Sequence, residues 1–386
     1  MTWKVFKKSS YGLLAPLAVL ALYALFYHQP FITRLENITV DWRFDIRSNP
    51  GTQVDPSLLL IDIDQASLDR FGGWPWPRNY HGDLLYVLDA EQPSVIAFDI
   101  LFTDRREEKR DRFLANSVRE EQANNLLAES LRKSGKVVLS AFAQSGQNPQ
   151  KRPGNIDYGK TKPLTKVQGL ITKVPGVNDP NLALTPLALL RYESFFGFTD
   201  TVSAESDSIR RRMPLVLRIG KNLYPSFITQ ILLRHHRIDP DSVEVLLGDS
   251  LVLPTAQGPI RVPINDRGEM LINYRSKLDF PSIPFTQTLQ ALYDKQQQGK
   301  PLPVDFPAIQ NRIVLIGATV SGLMELASTP ISSSSPPVLH PSLCAEQRSP
   351  KRLPPRRARS LDRPGLSHPL LAHPPPASIK KASASP

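Results

Sequence analysis

Cysteine is almost absent from the chain, whose 386 residues include Cys344 alone. A single thiol excludes both an intrachain disulfide and a zinc site built from cysteines. The adjacent His235 and His236 have no third ligand at metal spacing, so we predict no metal site there. The scarcity of cysteine fits an oxidising compartment without demonstrating one.

Signatures of common enzyme classes are also missing. The sequence contains no P-loop, no Gly-x-Ser-x-Gly, no Gly-x-Gly-x-x-Gly and no protein-kinase signature. We therefore predict that this chain is not an enzyme, has no catalytic residue and requires no cofactor.

Acidic residues are scarce in the C-terminal segment 331–386, where nine lysines and arginines face only Glu346 and Asp362. The net charge of +11 therefore belongs mostly to this tail, and the segment 1–330 carries only +4. The tail also holds twelve prolines and eleven serines without periodicity. We predict disorder for residues 331–386 and no nucleic-acid partner. Before the tail, the run 207–212 (DSIRRR) is interpreted as a solvated basic turn, with a ligand or phosphate contact as the alternative.

No charged residue lies between Lys8 and Arg34, a stretch that includes the nearly continuous apolar run 11–27. About 20 helical residues cross the hydrocarbon core of a membrane, so we predict a transmembrane helix at residues 11–29. A cleaved signal peptide and a buried core helix are the alternatives. Bulky residues after Ala21 disfavour cleavage, and the lack of a polar face disfavours a core helix.

The charges that flank this helix predict its direction. Lys4, Lys7 and Lys8 precede it, and basic residues favour the cytoplasmic side of a membrane. We therefore predict a cytoplasmic stub at residues 1–10 and a single-pass protein of the inner membrane. The domain that follows would be periplasmic or extracellular.

Apolar runs of strand length alternate with helical spacing from residue 58 onward. The predicted elements are strands at 58–63, 95–102 and 137–142 and helices at 81–88 and 111–133. Such alternation is typical of parallel strands joined by crossovers. The predicted fold class of residues 33–330 is α/β, with a mixed, largely parallel sheet and helices on both faces. Residues 144–181 have no period and are predicted as a surface excursion.

Three aspartates fall at the ends of two predicted strands. Asp62 and Asp64 are two residues apart, so they share one face. If the two strands are parallel neighbours, Asp99 lies near them at the carboxyl edge, where open α/β sheets bind ligands. Three interpretations remain open: a Mg²⁺ or Ca²⁺ site, an organic-ligand pocket, and a structural network. In the network, Asp62 and Asp99 cap helices or turns and pair with Arg78.

A stiff aromatic loop follows the first of these strands. Trp74 and Trp76 alternate with Pro75 and Pro77, which fix the backbone around them. The loop stacks on a ligand or packs over its own domain, and the sequence leaves both open. The candidate ligand-binding residues are Asp62, Asp64, Trp74, Trp76, Arg78 and Asp99.

Taken in order, five short segments resemble one known family. They are LIDID (60–64), GWPWPR (73–78), AFDILF (97–102), Asp207 with Arg210 and Arg211, and IVLIGAT (313–319). The series resembles the CHASE domain, type 2 (cyclases/histidine kinases associated sensory extracellular), over about residues 33–330. The resemblance implies an extracytoplasmic sensor behind one N-terminal helix. In such proteins further membrane helices usually follow, and then a nucleotide cyclase, a histidine kinase or a Ser/Thr kinase.

The chain departs from the family after Pro330. No second apolar run long enough to cross a membrane follows, and the Pro/Ser/Arg-rich tail begins abruptly. We interpret this departure as a truncation or a disrupted reading frame.

The resulting hypothesis is a membrane-anchored sensor of a bacterial receptor. Its expected partners are the inner membrane and an unknown small-molecule or protein signal, and a homodimer is an open option. The alternative is an extracytoplasmic, metal-dependent phosphoesterase that uses Asp62, Asp64 and Asp99.

Overall fold

The structure is a computed structural model that describes most of the chain between residues 30 and 335. The described ranges are 30–46, 56–103, 114–143, 157–199, 208–274, 281–320 and 327–335, with the single positions 16, 19 and 323. The predicted stub, nearly all of the predicted transmembrane helix and residues 336–386 lie outside these ranges. Within them, every helix is too short or too polar to cross a bilayer.

The elements are numbered in chain order. The helices are α1 (Pro30–Ile46), α2 (Gln65–Phe71), α3 (Arg78–Ala90), α4 (Leu114–Ser134), α5 (Ala188–Arg191), α6 (Phe227–His235) and α7 (Phe285–Gln298). The first nine strands are β1 (Leu58–Ile63), β2 (Val95–Phe98), β3 (Val137–Ala143), β4 (Lys166–Gln168), β5 (Gly176–Val177), β6 (Ala183–Leu184), β7 (Phe195–Phe198), β8 (Arg212–Pro214) and β9 (Val216–Ile219). The remaining strands are β10 (Asn222–Pro225), β11 (Glu244–Leu246), β12 (Ser250–Thr255), β13 (Gly258–Pro263), β14 (Glu269–Leu271), β15 (Ser282–Pro284), β16 (Ile313–Ala318), β17 (Ala327–Thr329) and β18 (Ser332–Ser335).

The core of the domain is a mixed, largely parallel sheet, as the sequence predicts. Its parallel strands follow the order β15-β1-β16-β2-β3-β7, and β6 pairs antiparallel with β3. Apolar runs such as LLLI in β1 and IVLI in β16 are buried on both faces, which is typical of parallel strands. The sequence leaves open whether β1 and β2 are direct neighbours, and in the structure β16 lies between them.

One face of the sheet is covered by α3, α4 and α7. Leu84, Leu85 and Leu88 of α3 are buried in this layer, at the positions where helical spacing predicts an apolar stripe. Helices α3 and α4 approach closely at Gly82, where a Cβ atom would lie 3.5 Å from the Cα atom of Leu127. These helices hold the segments that follow the carboxyl ends of β1 and β2.

The other face packs against α6 and several short strands. Phe227, Ile228 and Ile231 of α6 join the second core cluster with Leu58 and Leu60 of β1. Within the predicted surface excursion 144–181, β4 pairs with β11 and β5 pairs with β9. Strands of two or three residues are too short to show a period in the sequence, and their pairing partners are distant in it. Strand β18 falls within the predicted tail and pairs with β17.

Helix α1 is attached to the domain by an ion pair whose guanidinium is buried. The guanidinium of Arg211 donates from Nε to Asp41 Oδ1 and from Nη2 to Asp41 Oδ2, each at 2.7 Å. Arg211 is only 2% exposed, and the rings of Phe44 and Tyr274 pack edge to face beside it with centroids 6.0 Å apart. The interpretation of 207–212 as a solvated turn is therefore wrong for Arg211. A partner from a helix 170 residues away could not be seen in the local pattern.

The close contact between β7 and α6 predicts that a substitution of Gly197 destabilises the fold strongly, whereas a substitution of Gly73 does not. A Cβ atom on Gly197 would lie 2.5 Å from the Cα atom of Phe227 and 2.7 Å from the carbonyl oxygen of Ser226. Gly197→Ala should lower the free energy of unfolding by about 2–3 kcal/mol, because neither backbone atom can move away cheaply. Gly73→Ala is the matched control, since no atom lies within 4 Å of its new Cβ. Urea titration of both variants measures the difference, and equal losses would contradict this packing.

Candidate ligand-binding site

Two aspartates and a glycine form a row across the carboxyl ends of three strands. Asp62 of β1 is the register partner of Gly317 in β16, and the Asp99 N–H donates to the Ile316 carbonyl at 2.8 Å. Asp62 and Asp99 therefore lie on either side of Gly317, with Cα atoms roughly 10 Å apart. Because Gly317 has no side chain, the space between the two carboxyl groups is not filled by β16. All three residues face the layer that contains α6.

Asp62 is held by Thr319. Thr319 Oγ1 lies 2.7 Å from Asp62 Oδ1 and 2.8 Å from Oδ2, so the hydroxyl donates to this carboxylate. Burial raises the pKa of Asp62, the hydrogen bond from Thr319 lowers it, and the nearby charge of Asp64 raises it again. The result is a raised pKa, which indicates a carboxyl group that is not fully compensated by its surroundings.

Asp64 performs a local structural task. It is the N-cap of α2, and its Oδ1 accepts hydrogen bonds from Ser67 N at 2.9 Å and Ser67 Oγ at 2.6 Å. Ser67 Oγ in turn lies 3.4 Å from the Thr286 backbone nitrogen at the start of α7. The predicted cap thus belongs to Asp64, whereas Asp62 and Asp99 do not cap a described helix. An Asp three residues before a Ser at a helix start carries this signal.

Asp99 lies within electrostatic reach of Arg210. Burial raises the pKa of Asp99 to about 6, although the positive charge of Arg210 acts in the opposite direction. Burial also lowers the pKa of Arg210, while Tyr274 and Asp99 raise it. Arg210, Thr319 and Gly317 were not among the candidate residues, although each lies in a segment that carries the family resemblance. These three residues come close to the aspartates only because β16 and the segment of Arg210 reach the carboxyl edge of the sheet. Sequence patterns within one element cannot reveal such long-range placement.

The aromatic loop packs over its own domain. Trp76 is 3% exposed, its Nε1 donates to the Gly72 carbonyl at 3.0 Å, and its ring centroid lies 5.0 Å from that of Phe285. Trp74 contacts the Trp76 ring with centroids 5.2 Å apart and is only partly buried. The loop lies on the face covered by α3, α4 and α7, and so on the opposite face from Asp62 and Asp99.

Arg78 joins α3 to α4 and to the segment that follows β2. Its guanidinium donates to Asn124 Oδ1 and to the Thr103 carbonyl oxygen. Among the described residues no ion pair connects Arg78 to Asp62 or Asp99, so that part of the structural-network interpretation is wrong. A cavity of about 470 Å³ lies beside it, between the Pro75–Arg78 segment and the α4 residues Ala123 and Leu126.

The predicted site is therefore divided into two parts at the same edge of the sheet. Asp62 and Asp99 share one face, and Trp74, Trp76 and Arg78 share the other. The phosphoesterase alternative requires three carboxylates together, but Asp64 is engaged in its cap and the other two are a strand apart. In the part of the chain that the structure describes, no three His, Cys, Asp or Glu side chains are grouped as metal ligands.

A comparison with protein families gives the same family as the sequence resemblance. A family model described as the CHASE2 domain matches residues 17–348. No curated protein matches the chain, and no solved structure matches it.

The raised pKa of Asp99 predicts a pH dependence of stability. Burial penalises the ionised carboxylate, so the protonated Asp99 favours the folded state. Its contribution to the free energy of unfolding is fully present below pH 4 and is lost as the pH rises through about 6. Asp99→Asn should remove that loss, which amounts to at most about 3 kcal/mol. Urea titrations between pH 4 and 7.5 measure the effect, with the exposed Asp305→Asn as the control. An unchanged pH profile in Asp99→Asn would contradict the buried environment.

Proposed function

The chain belongs to the CHASE2 domain family, and on that premise we propose that it is the extracytoplasmic sensory domain of a bacterial membrane receptor. CHASE2 is a family of extracellular sensory domains in signalling receptors, and such a domain is not itself catalytic. The lysines before the apolar run 11–27 support a cytoplasmic N-terminus and an exported domain.

The proposed ligand position is the row formed by Asp62, Gly317 and Asp99, with Arg210 beside it. The observation that carries this assignment is a pair of incompletely compensated carboxyl groups on either side of a glycine, at the carboxyl edge of a parallel sheet. Carboxylates there suit a ligand that presents an ammonium group or other hydrogen-bond donors, and Arg210 suits an acceptor on the same ligand. A small molecule with both kinds of group is the class that this chemistry favours.

The proposed route of the signal is the pair Arg210 and Arg211. Arg210 interacts electrostatically with Asp99, and the next residue holds Asp41 of α1. Helix α1 begins at Pro30, directly after the predicted transmembrane segment. A ligand that binds Asp99 in competition with Arg210 would favour a different position of this segment, and so of α1. Such a ligand shifts the equilibrium only by the difference between its affinities for the two states.

The orientation is tested by reporter fusions. Alkaline phosphatase fused after Asn49 should be active, because the enzyme requires disulfides that form outside the cytoplasm. A fusion after Ser10 is the matched control and should be inactive, whereas a fluorescent reporter should give the reverse pattern. An inactive phosphatase after Asn49, at equal protein levels, would contradict the proposed export of the domain.

A further inference from the structure

A second cavity, of about 1130 Å³, lies at the amino edge of the sheet. Ser94, Lys136 and Asn311 line it, each just before β2, β3 or β16, and Phe195 at the start of β7 completes that wall. Parallel strands place their amino and carboxyl ends at opposite edges. This cavity is therefore distinct from the Asp62–Asp99 row, and the inference drawn from it does not depend on the proposed function.

The lining of the cavity is strongly basic. Its cationic side chains come from several separate segments and comprise Lys136, Lys160, Lys162, Arg234 and Arg237. Its carboxylates are Asp89 and Asp239 alone. Five cations and two carboxylates leave an excess of three positive charges, whereas the segment 1–330 as a whole is close to balance.

Part of this charge has no partner within the described residues. Lys136 Nζ pairs with Asp89 at 3.0 Å, and Lys160 Nζ donates to the Glu193 carbonyl at 3.1 Å. Lys162 and Arg237 are exposed and form no ion pair with any residue that the structure describes. Their charges are therefore available to an anion in the cavity.

Arg234 is held in place with donor capacity to spare. Its Cζ atom lies 4.2 Å from the centre of the Phe195 ring, and its Nη2 donates to the Ile238 carbonyl at 2.9 Å. Its buried Nε has no hydrogen-bond partner among the described residues. A guanidinium that is stacked on an aromatic ring is already ordered, so it loses little entropy when it binds an anion.

The ends of the neighbouring helices do not account for the excess charge. Helices α3, α4 and α6 end near this edge, at Ala90, Ser134 and His235. A helix C-terminus carries about half a negative charge, so three of them attract about one and a half positive charges. The excess of three is larger, and a positive field remains.

We propose that this cavity binds a multivalent phosphate-type anion through Lys162, Arg234 and Arg237. Several cations around one cavity suit a ligand with more than one negative oxygen, and arginine suits phosphate oxygens in particular. The same chemistry is offered by a soluble compound with several phosphate charges and by a phospholipid headgroup that carries two phosphates.

The first arm of the test uses pyrophosphate and the purified full chain in detergent. Calorimetry at low salt should show saturable binding that weakens as salt is added. Lys162→Gln/Arg237→Gln should weaken it at least tenfold. Lys221→Gln/Arg261→Gln is the matched control, since it removes one exposed lysine and one exposed arginine elsewhere, and should leave binding unchanged.

The second arm uses the full chain in nanodiscs of phosphatidylcholine, with and without cardiolipin, whose headgroup carries two phosphates. A rise in the unfolding temperature with cardiolipin that the Lys162→Gln/Arg237→Gln variant loses would assign the site to lipid headgroups. Pyrophosphate binding without that rise would assign it to a soluble anion. The proposal is overturned if neither probe binds, or if the cavity variant and its control behave alike with both.

Discussion

The buried guanidinium of Arg211 constrains how the N-terminal helix meets the domain. A charge that is 2% exposed is costly unless it is paired, and both oxygens of Asp41 provide that pairing at 2.7 Å. Helix α1 cannot leave the domain without separating this charge from the carboxylate of Asp41. The edge-to-face contact of Phe44 with Tyr274 adds an apolar attachment one turn further along the helix. The position of α1 is thus set by specific contacts.

Arg211, which holds α1, directly follows Arg210, whose charge acts on Asp99. Arg210 and Arg211 are consecutive, and Tyr274 interacts both with Arg210 and with Phe44 of α1. The carboxyl edge of the sheet and the N-terminal helix therefore share one short segment. The basic cavity at the opposite edge is separated from this path by the length of the strands.

The sequence predicts those parts of the fold whose signals are local. The bounds of β1 agree to the residue, and β3 and the apolar stripe of α3 are close to prediction, because apolar runs and helical spacing act within one element. Strand β2 is shorter than predicted, since the chain leaves the sheet after the hydrogen bond from Asp99 to β16. Helix α7, FTQTLQALYDKQQQ, was not predicted, although Phe285, Thr288 and Leu292 are buried at helical spacing.

In the candidate site, too, the local features were predicted and the long-range ones were not. Asp62 and Asp99 do share an edge, because two strand ends in a parallel sheet must meet there. The insertion of β16 between them, the hydroxyl of Thr319 and the approach of Arg210 depend on residues more than 100 positions away. Trp76 and Arg78 were assigned to the same pocket because they are close in sequence. Their burial against α7 and α4 instead places them on the other face.

The claim that α1 and the carboxyl edge are coupled is tested most directly by a double-mutant cycle. Asp41→Asn, Asp99→Asn and the double variant are unfolded with urea at pH 7.5. Asp41 and Asp99 belong to different attachments, so without coupling their effects on the free energy of unfolding should add to within about 0.5 kcal/mol. If the segment of Arg210 and Arg211 links them, the double variant should depart from additivity by about 1 kcal/mol or more. Strict additivity would contradict the account.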